Sequence, residues 1–208
     1  PSCSHKNKHM MSMSPTLPSA TVSKTVLLAS LETKVEKHLQ EAISLFQNLT
    51  AEELSKPAPD GGWSIAQCLD HLNGYGDHYL PHIDKGLSNA VSKHAVGNAK
   101  DTDDSFRSSW LGRRFTKMMD PQTGKKKMKA FKNHLPAPDL DPHSAVAVFI
   151  RQQETLISYL RRAAGADLNH IRVPTSIAKF IRLHLADVFQ FLIAHNERHV
   201  QQAKRNLI

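Results

Sequence analysis

Cysteine is nearly missing from this chain of 208 residues, which has only Cys3 and Cys68. That excludes a disulfide-stapled scaffold and a multi-cysteine zinc fold. Glycine is sparse, at nine residues, and no Gly-rich phosphate-binding loop occurs. Few stretches alternate in Val, Ile and Thr, which argues against a β-sandwich or a nucleotide-binding parallel sheet. No apolar run approaches the roughly 20 residues that span a bilayer, so no transmembrane helix is expected. What is present is ordinary globular composition, 40% hydrophobic and 22% charged, at a length that suits one domain with tails.

The formal charge of +8 is concentrated. Between Leu111 and His134 stand eight basic residues, Arg113, Arg114, Lys117, Lys125, Lys126, Lys127, Lys129 and Lys132, against Asp120 alone. The rest of the chain has 19 basic and 18 acidic residues, so it is near neutral. This segment carries no groove-reading motif, and nucleic-acid binding ranks last among the functions considered. With Phe106 and Trp110 the lysine run could form a lip for an anionic ligand; a solvated loop is the other reading.

Residues 1–17 are polar and without periodicity. They read as a disordered or processed tail lacking the apolar stretch of a signal peptide. Residues 18–208 are expected to form a single domain, located in the cytoplasm. Leu28, Leu31, Val35, Leu39, Ala42, Phe46 and Leu49 make one apolar stripe, predicting a helix from about Pro18 to Asn48. Thr50 and Glu53 form a capping box for a short helical turn. Ser64 and Gln67 form another, with Trp63 as the hydrophobic staple, and open a second long helix whose face carries Ile65, Cys68, Leu72, Tyr75, Tyr79 and Ile83. Pro81 is expected to kink this helix or end it early. Periodicity is lost after about Ala95. The stretch to Leu140 reads as a long connection with a short helix near Phe106 to Met119. Asp141-Pro142 starts a third helix, running to about Ala164. Pro174-Thr175-Ser176 is read as the start of the last, with the stripe Ile177, Ile181, Leu185, Val188, Leu192, His195, His199, Gln202. The expected fold is all-α, a four-helix bundle.

In that last stripe the apolar seam turns polar without changing register. His195 and His199, four residues apart, project from one face about 6 Å from each other. That suits two neighbouring ligands on a metal. The signal is weak alone, because His5/His9 and His78/His82 share the spacing. Only His195/His199 lies on an uninterrupted core register. His71, about 10 Å into the second long helix, is the leading third ligand. It can meet the pair only if the second and fourth helices are antiparallel, which a plain up-down-up-down bundle forbids. The site therefore requires one long crossover between helices two and three. The connection from Ala95 to Leu140 supplies it, since about nine extended residues span ~30 Å.

At this point the residues resemble a family. Trp63, Ser64, Leu69, His71 and Leu72 match the W-S-x4-L-x-H-L start of helix two in DinB-like (YfiT-like) proteins. His195, His199 and Gln202 match their terminal H-x3-H-x2-Q. The resemblance extends over about residues 25 to 206, taking in the acidic turn Leu49–Leu54 and the linker Val173-Pro174. It implies a four-helix bundle of crossed connectivity, a divalent metal, commonly nickel or zinc, on His71, His195 and His199, and a homodimer. Gln202 matches a position that steadies a ligand from outside. Characterised members include thiol-dependent S-transferases and a maleylpyruvate isomerase, and many others are described only as metal-dependent hydrolases. The implied substrate is a small molecule, with a low-molecular-weight thiol as a second partner.

Other residues have blander readings. Glu197 stands at the wrong position for the H-E-x-x-H of zinc proteases. It lies about 200° around the helix from His195, so it faces away and suits an ion pair. Cys68 reads as a small core hydrophobe rather than a fourth ligand. His78 is a hydrogen-bonded core or interface histidine or part of a second polar layer. Tyr75 and Tyr79 pack or donate to a substrate, and Asp70 is solvated. No general base is assigned. The expected function is a metal-dependent enzyme on a small molecule, a hydrolase or a thiol S-transferase. The alternative is a non-catalytic helical module with metal incidental or absent.

Overall fold

The computed structural model describes residues 21–96, 104–124, 130, 134–178 and 180–207, the side chains of 91–96 aside. The tail at residues 1–17, the expected helix start at Pro18, and Lys125, Lys126, Lys127, Lys129 and Lys132 lie outside the described residues.

Strand β1 (Thr21–Ser23) leads into helix α1 (Lys24–Glu41), capped by Ser23 Oγ, which accepts from Val26 N at 3.1 Å. The stripe foreseen to Asn48 runs on as a wider, π-helical turn over Ala42–Phe46. The Thr50–Glu53 capping box forms at the head of α2 (Ala51–Ser55). The Ser64–Gln67 box forms at the head of α3 (Ile65–Val96), where Gln67 N donates to Ser64 Oγ and Ser64 N to Gln67 Oε1. Of the two outcomes expected at Pro81, a kink or an early end, the early end does not occur: α3 runs through the proline to Val96. The proline sits on the exposed side of the helix. Its missing N–H costs one backbone bond, while Ile83 and Leu87 beyond it are fully buried and hold the helix to the core.

Strand β2 (Ser105–Arg107) pairs antiparallel with β1, and α4 (Trp110–Met119) follows. Helix α5 (Pro142–Ala163) starts on the Asp141 cap with proline at its first position. The last helix begins later than the sequence predicts. Residues Arg172–Pro174 (β3) and Arg182–His184 (β4) form an antiparallel hairpin, and α6 spans Leu185–Lys204. The helix-start signal Pro174-Thr175-Ser176 is turn chemistry instead. Thr175 Oγ1 accepts from Ala178 N and donates to Ala178 O. Val173 and Leu183, opposite one another in the hairpin, are buried, whereas Ile177 is exposed. A strand alternation thus overrides the helical spacing.

Contacts along α1, α3, α5 and α6 fix their directions. Asn73 and Gln152 meet across α3 and α5, as do Asp84 and Arg162 further along both, so these helices are parallel. Glu32 meets Arg161 and Lys24 meets Ala166, so α1 and α5 are antiparallel. Lys37 meets Glu197 and Glu41 meets Lys204, so α1 and α6 are parallel. His71 meets His195 while Tyr75 reaches Phe191, so α3 and α6 are antiparallel. This is the crossed four-helix bundle, with the long connection between α3 and α5 carrying β2 and α4.

That connection is anchored on α6. Asp187, 0% exposed in the first turn of α6, accepts from Ser108 Oγ, Ser109 N (3.0 Å) and Ser109 Oγ (2.7 Å). Gly112 of α4 lies against the same carboxyl group, so close that a Cβ there would overlap it. Asp187→Ala removes the acceptor shared by three part-buried donors and leaves a gap at a fully buried position. It is expected to cost about 2–4 kcal/mol of stability by urea denaturation. A loss below about 0.5 kcal/mol, the range of ordinary surface substitutions, would show that the crossover is not held there.

The apolar core is divided. One cluster joins Leu28, Leu31 and Val35 to Tyr79, Ile83, Phe189 and Leu192. The other joins Phe46 and Leu54 to Ile65, Leu69, Phe149 and Val200. Buried polar side chains from all four helices stand between them: His38, His71, Asn73, Gln153, His195 and Asn196. Asn73 Nδ2 donates to Ala145 O, and Asn196 Nδ2 to Gln153 Oε1.

Candidate metal centre

The three histidines meet in this polar layer. His71 comes from the second turn of α3, and His195 and His199 come from successive turns of α6 running the other way. Their ligating atoms lie within 4.8 Å of one another. His71 is 3% exposed and His195 2%, and His199 is partly buried at the edge. His71 Nε2 and His195 Nε2 face each other at 3.2 Å. With ligand distances of about 2.1 Å, two nitrogens so placed subtend roughly 100° at a shared ion.

The outward nitrogens are held. His71 Nδ1 lies 2.6 Å from the His134 carbonyl oxygen. A carbonyl only accepts, so Nδ1 carries the proton and Nε2 presents its lone pair to the centre. His199 Nδ1 donates to Gln202 Oε1 at 3.0 Å, with the same result. His195 Nδ1 is buried without a partner among the described residues.

Burial keeps the rings neutral. It lowers the pKa of His71, against the raising effect of the His134 carbonyl and of Asp70. It takes His195 well below the usual histidine value, with His199 and His71 adding to the effect. His199 falls to about 3, from burial first and then from His71. Three neutral imidazoles aimed at one point, with a buried polar atom left over, are a donor set that fits a divalent ion.

Aromatic rings wall the site. Tyr75 meets His71 and His195 edge-on, with centroids at 5.2 and 4.4 Å. Trp63, beyond its place as a staple, stacks on His199 at 5.8 Å. Phe191 stacks on His195. Burial pushes the Tyr75 hydroxyl up to about 12, so it keeps its proton at neutral pH.

His134 is the residue that sequence reasoning missed. It stacks on Tyr75 at 4.0 Å and both its ring nitrogens are buried without partners among the described residues. It arrives from the returning limb of the crossover, which has no periodicity. The usable clue was that this limb must end near the histidines.

The other candidates fall elsewhere. Cys68 is a free, buried thiol outside the triad, and burial pushes it up to about 12. Glu197 turns away to α1, where His38 Nε2 lies 2.6 Å from Oε2 and Lys37 donates to Oε1 at 3.2 Å. That pairing, His38 first, holds its carboxyl well below the usual carboxylate range. Asp70 is not simply solvated, because it accepts from Ala137 N at 2.9 Å and ties down the crossover. Tyr79 OH accepts from Ser176 N. Phe106 is buried in the core and cannot serve a lip, whereas Trp110 is 67% exposed, with Arg114 over its ring.

Removing the Gln202 amide frees the His199 ring to turn. Gln202→Ala is expected to weaken metal affinity roughly 10- to 100-fold. A competition titration with a chromophoric chelator measures this, and an unchanged constant would remove Gln202 from the centre.

No helix among the described residues is long and apolar enough to cross a membrane. Among solved structures, the chain is similar to YfiT from Bacillus subtilis, a probable metal-dependent hydrolase with an unusual four-helix bundle topology. The identity is 16% and the TM-score 0.44, over 97% of this chain and 91% of that one. No curated protein matches the sequence. The family model of the DinB superfamily matches residues 34–203, from the middle of α1 to the last turn of α6 and across all three histidines. The chain belongs to the DinB superfamily.

Proposed function

We propose that His71, His195 and His199 hold a divalent ion, nickel or zinc, in a metal-dependent enzyme acting on a small molecule, as a hydrolase or a thiol S-transferase. The observation that carries this reading is the 3.2 Å approach of two buried imidazole nitrogens, of which His71 Nε2 is left with its lone pair by the His134 carbonyl on the far side of its ring. Imidazole donors favour nickel and zinc over magnesium or calcium. When bound, such an ion supplies Lewis acidity that acidifies a neighbouring water or a low-molecular-weight thiol.

The protein's own groups do the positioning. The His134 carbonyl and Gln202 orient two ligand rings. Trp63, Tyr75 and Phe191 shield the rings from bulk water. The Tyr75 hydroxyl, protonated at neutral pH, is the nearest described phenol that could donate to a substrate. A homodimer belongs to the same reading and is tested by light scattering on a sizing column.

Elemental mass spectrometry of purified, tag-free protein tests the proposal. Near-stoichiometric nickel or zinc is expected, lost in His195→Ala/His199→Ala. Thiol-transfer and ester- or amide-hydrolysis panels then separate the two activities. Absence of metal after reconstitution with several ions would favour a non-catalytic helical module.

A further inference from the structure

Away from the metal centre, α3 and the β3–β4 hairpin flank a second, half-open concavity of about 700 Å³, a size that accommodates a metabolite. On the helix side it is lined by His78, His82 and Lys85. These sit at i, i+4 and i+7, one stripe of the helix, beginning roughly 10 Å along the axis from His71. On the hairpin side it is lined by Arg172 and Arg182. Arg172 pairs with His184 and Arg182 with Pro174, so both arginines stand on the face of the hairpin opposite buried Val173 and Leu183. Gly86 shapes the join, since a Cβ there would come within 2.8 Å of Ile171 Cγ2. Helix and hairpin can press together because that side chain is missing.

No carboxylate among the described residues lines this cleft. Asp84, next to Lys85 on α3, is held by Arg162 at 2.6 Å, and Asp167 by His170. Arg172, Arg182 and Lys85 make no ion pair with the described residues. Three cations lining one cleft with no carboxylate beside them among the described residues repel one another, and a multivalent anion relieves that repulsion. Phe180, 87% exposed, stands on the same wall. An exposed phenyl ring beside cations favours a ligand with an apolar or planar part. The concave shape favours a small molecule over an extended polymer or a membrane.

We propose that this cleft binds a small amphipathic anion, its phosphate or carboxylate groups on Arg172, Arg182 and Lys85 and its apolar part against Phe180. The probe is phenyl phosphate, titrated calorimetrically into the full-length protein, with inorganic phosphate beside it. Phenyl phosphate is expected to bind saturably at a single site, more weakly as salt rises. Arg172→Ala/Arg182→Ala is expected to weaken it about ten-fold or more, the loss that follows removal of charge-assisted hydrogen bonds. Phe180→Ala is expected to weaken phenyl phosphate but leave inorganic phosphate unchanged. Lys85→Ala serves as an independent variant should the double substitution disturb the hairpin. Binding must persist in chelated protein, which separates this site from the metal centre. The proposal is overturned if phenyl phosphate does not saturate, if its binding is lost on chelation, or if it is indifferent to the arginines. It is equally overturned if only a DNA oligonucleotide or phosphatidylserine vesicles show arginine-dependent binding.

Discussion

Stripping the metal from the purified protein is expected to lower its thermal midpoint by roughly 8–16 °C. An ion that binds only the folded state stabilises it by about 4 kcal/mol when its free concentration is 1,000 times its dissociation constant. In a domain of this size each kcal/mol moves the midpoint by about 2–4 °C. The unfolded chain competes only through local histidine pairs, because the third ligand, His71, is 124 positions from His195. Adding nickel or zinc back should restore the midpoint of the wild type and leave His195→Ala/His199→Ala unmoved. The control matters because truncating two buried rings has its own cost in packing. The ion-dependent shift is therefore compared within each protein. A wild-type midpoint indifferent to chelation and reloading would sink the metal-centre reading.

Acid should destabilise the chelated protein over a defined window. The histidines of the centre have folded pKa values depressed below the unfolded 6.5. Below pH 6.5 the unfolded chain therefore binds more protons than the folded one, and stability falls as pH falls. A histidine depressed like His199, to about 3, contributes about 2 kcal/mol of loss between pH 7 and pH 5. His195 and His71 act in the same direction. Glu197, also depressed, adds its loss only below the ordinary carboxylate value near 4.5. Urea denaturation at pH 7, 6 and 5 checks this. The first drop should come between pH 6.5 and 5 and shrink in His195→Ala/His199→Ala. Stability flat to pH 5 would mean that the rings charge freely in the fold, contradicting their burial.

The local punctuation of the bundle was legible before any coordinates. Ser64 with Gln67 and Asp141 with Pro142 mark helix starts by chemistry that acts within four residues. The three histidines were legible because two share a helical register and the third could join them only through a crossed topology. That requirement turned the long loop from an oddity into a prediction. The start of α6 was misread because Ile177 and Ile181 fit a helical stripe as well as a hairpin. Pairing of Val173 with Leu183 decides the matter, and pairing is not a local property. The helix outlasts Pro81 because one lost backbone bond is small beside the burial of Ile83 and Leu87. His134 could not be found by spacing, since its place depends on how an aperiodic segment returns to the bundle.

The polar layer between the two apolar clusters has a consequence for the order of folding. In a zinc finger the ligands are close in the chain, and the metal can organise a few residues at the outset. Here the ligands belong to helices brought together only after the longest connection has closed. Loop-closure entropy must be overcome before the first coordinate bond can form. Metal capture should therefore coincide with the final stage of refolding, not its beginning. A spectroscopically active ion added during refolding would report completion of the topology, and intermediates with helices already formed would remain silent to it.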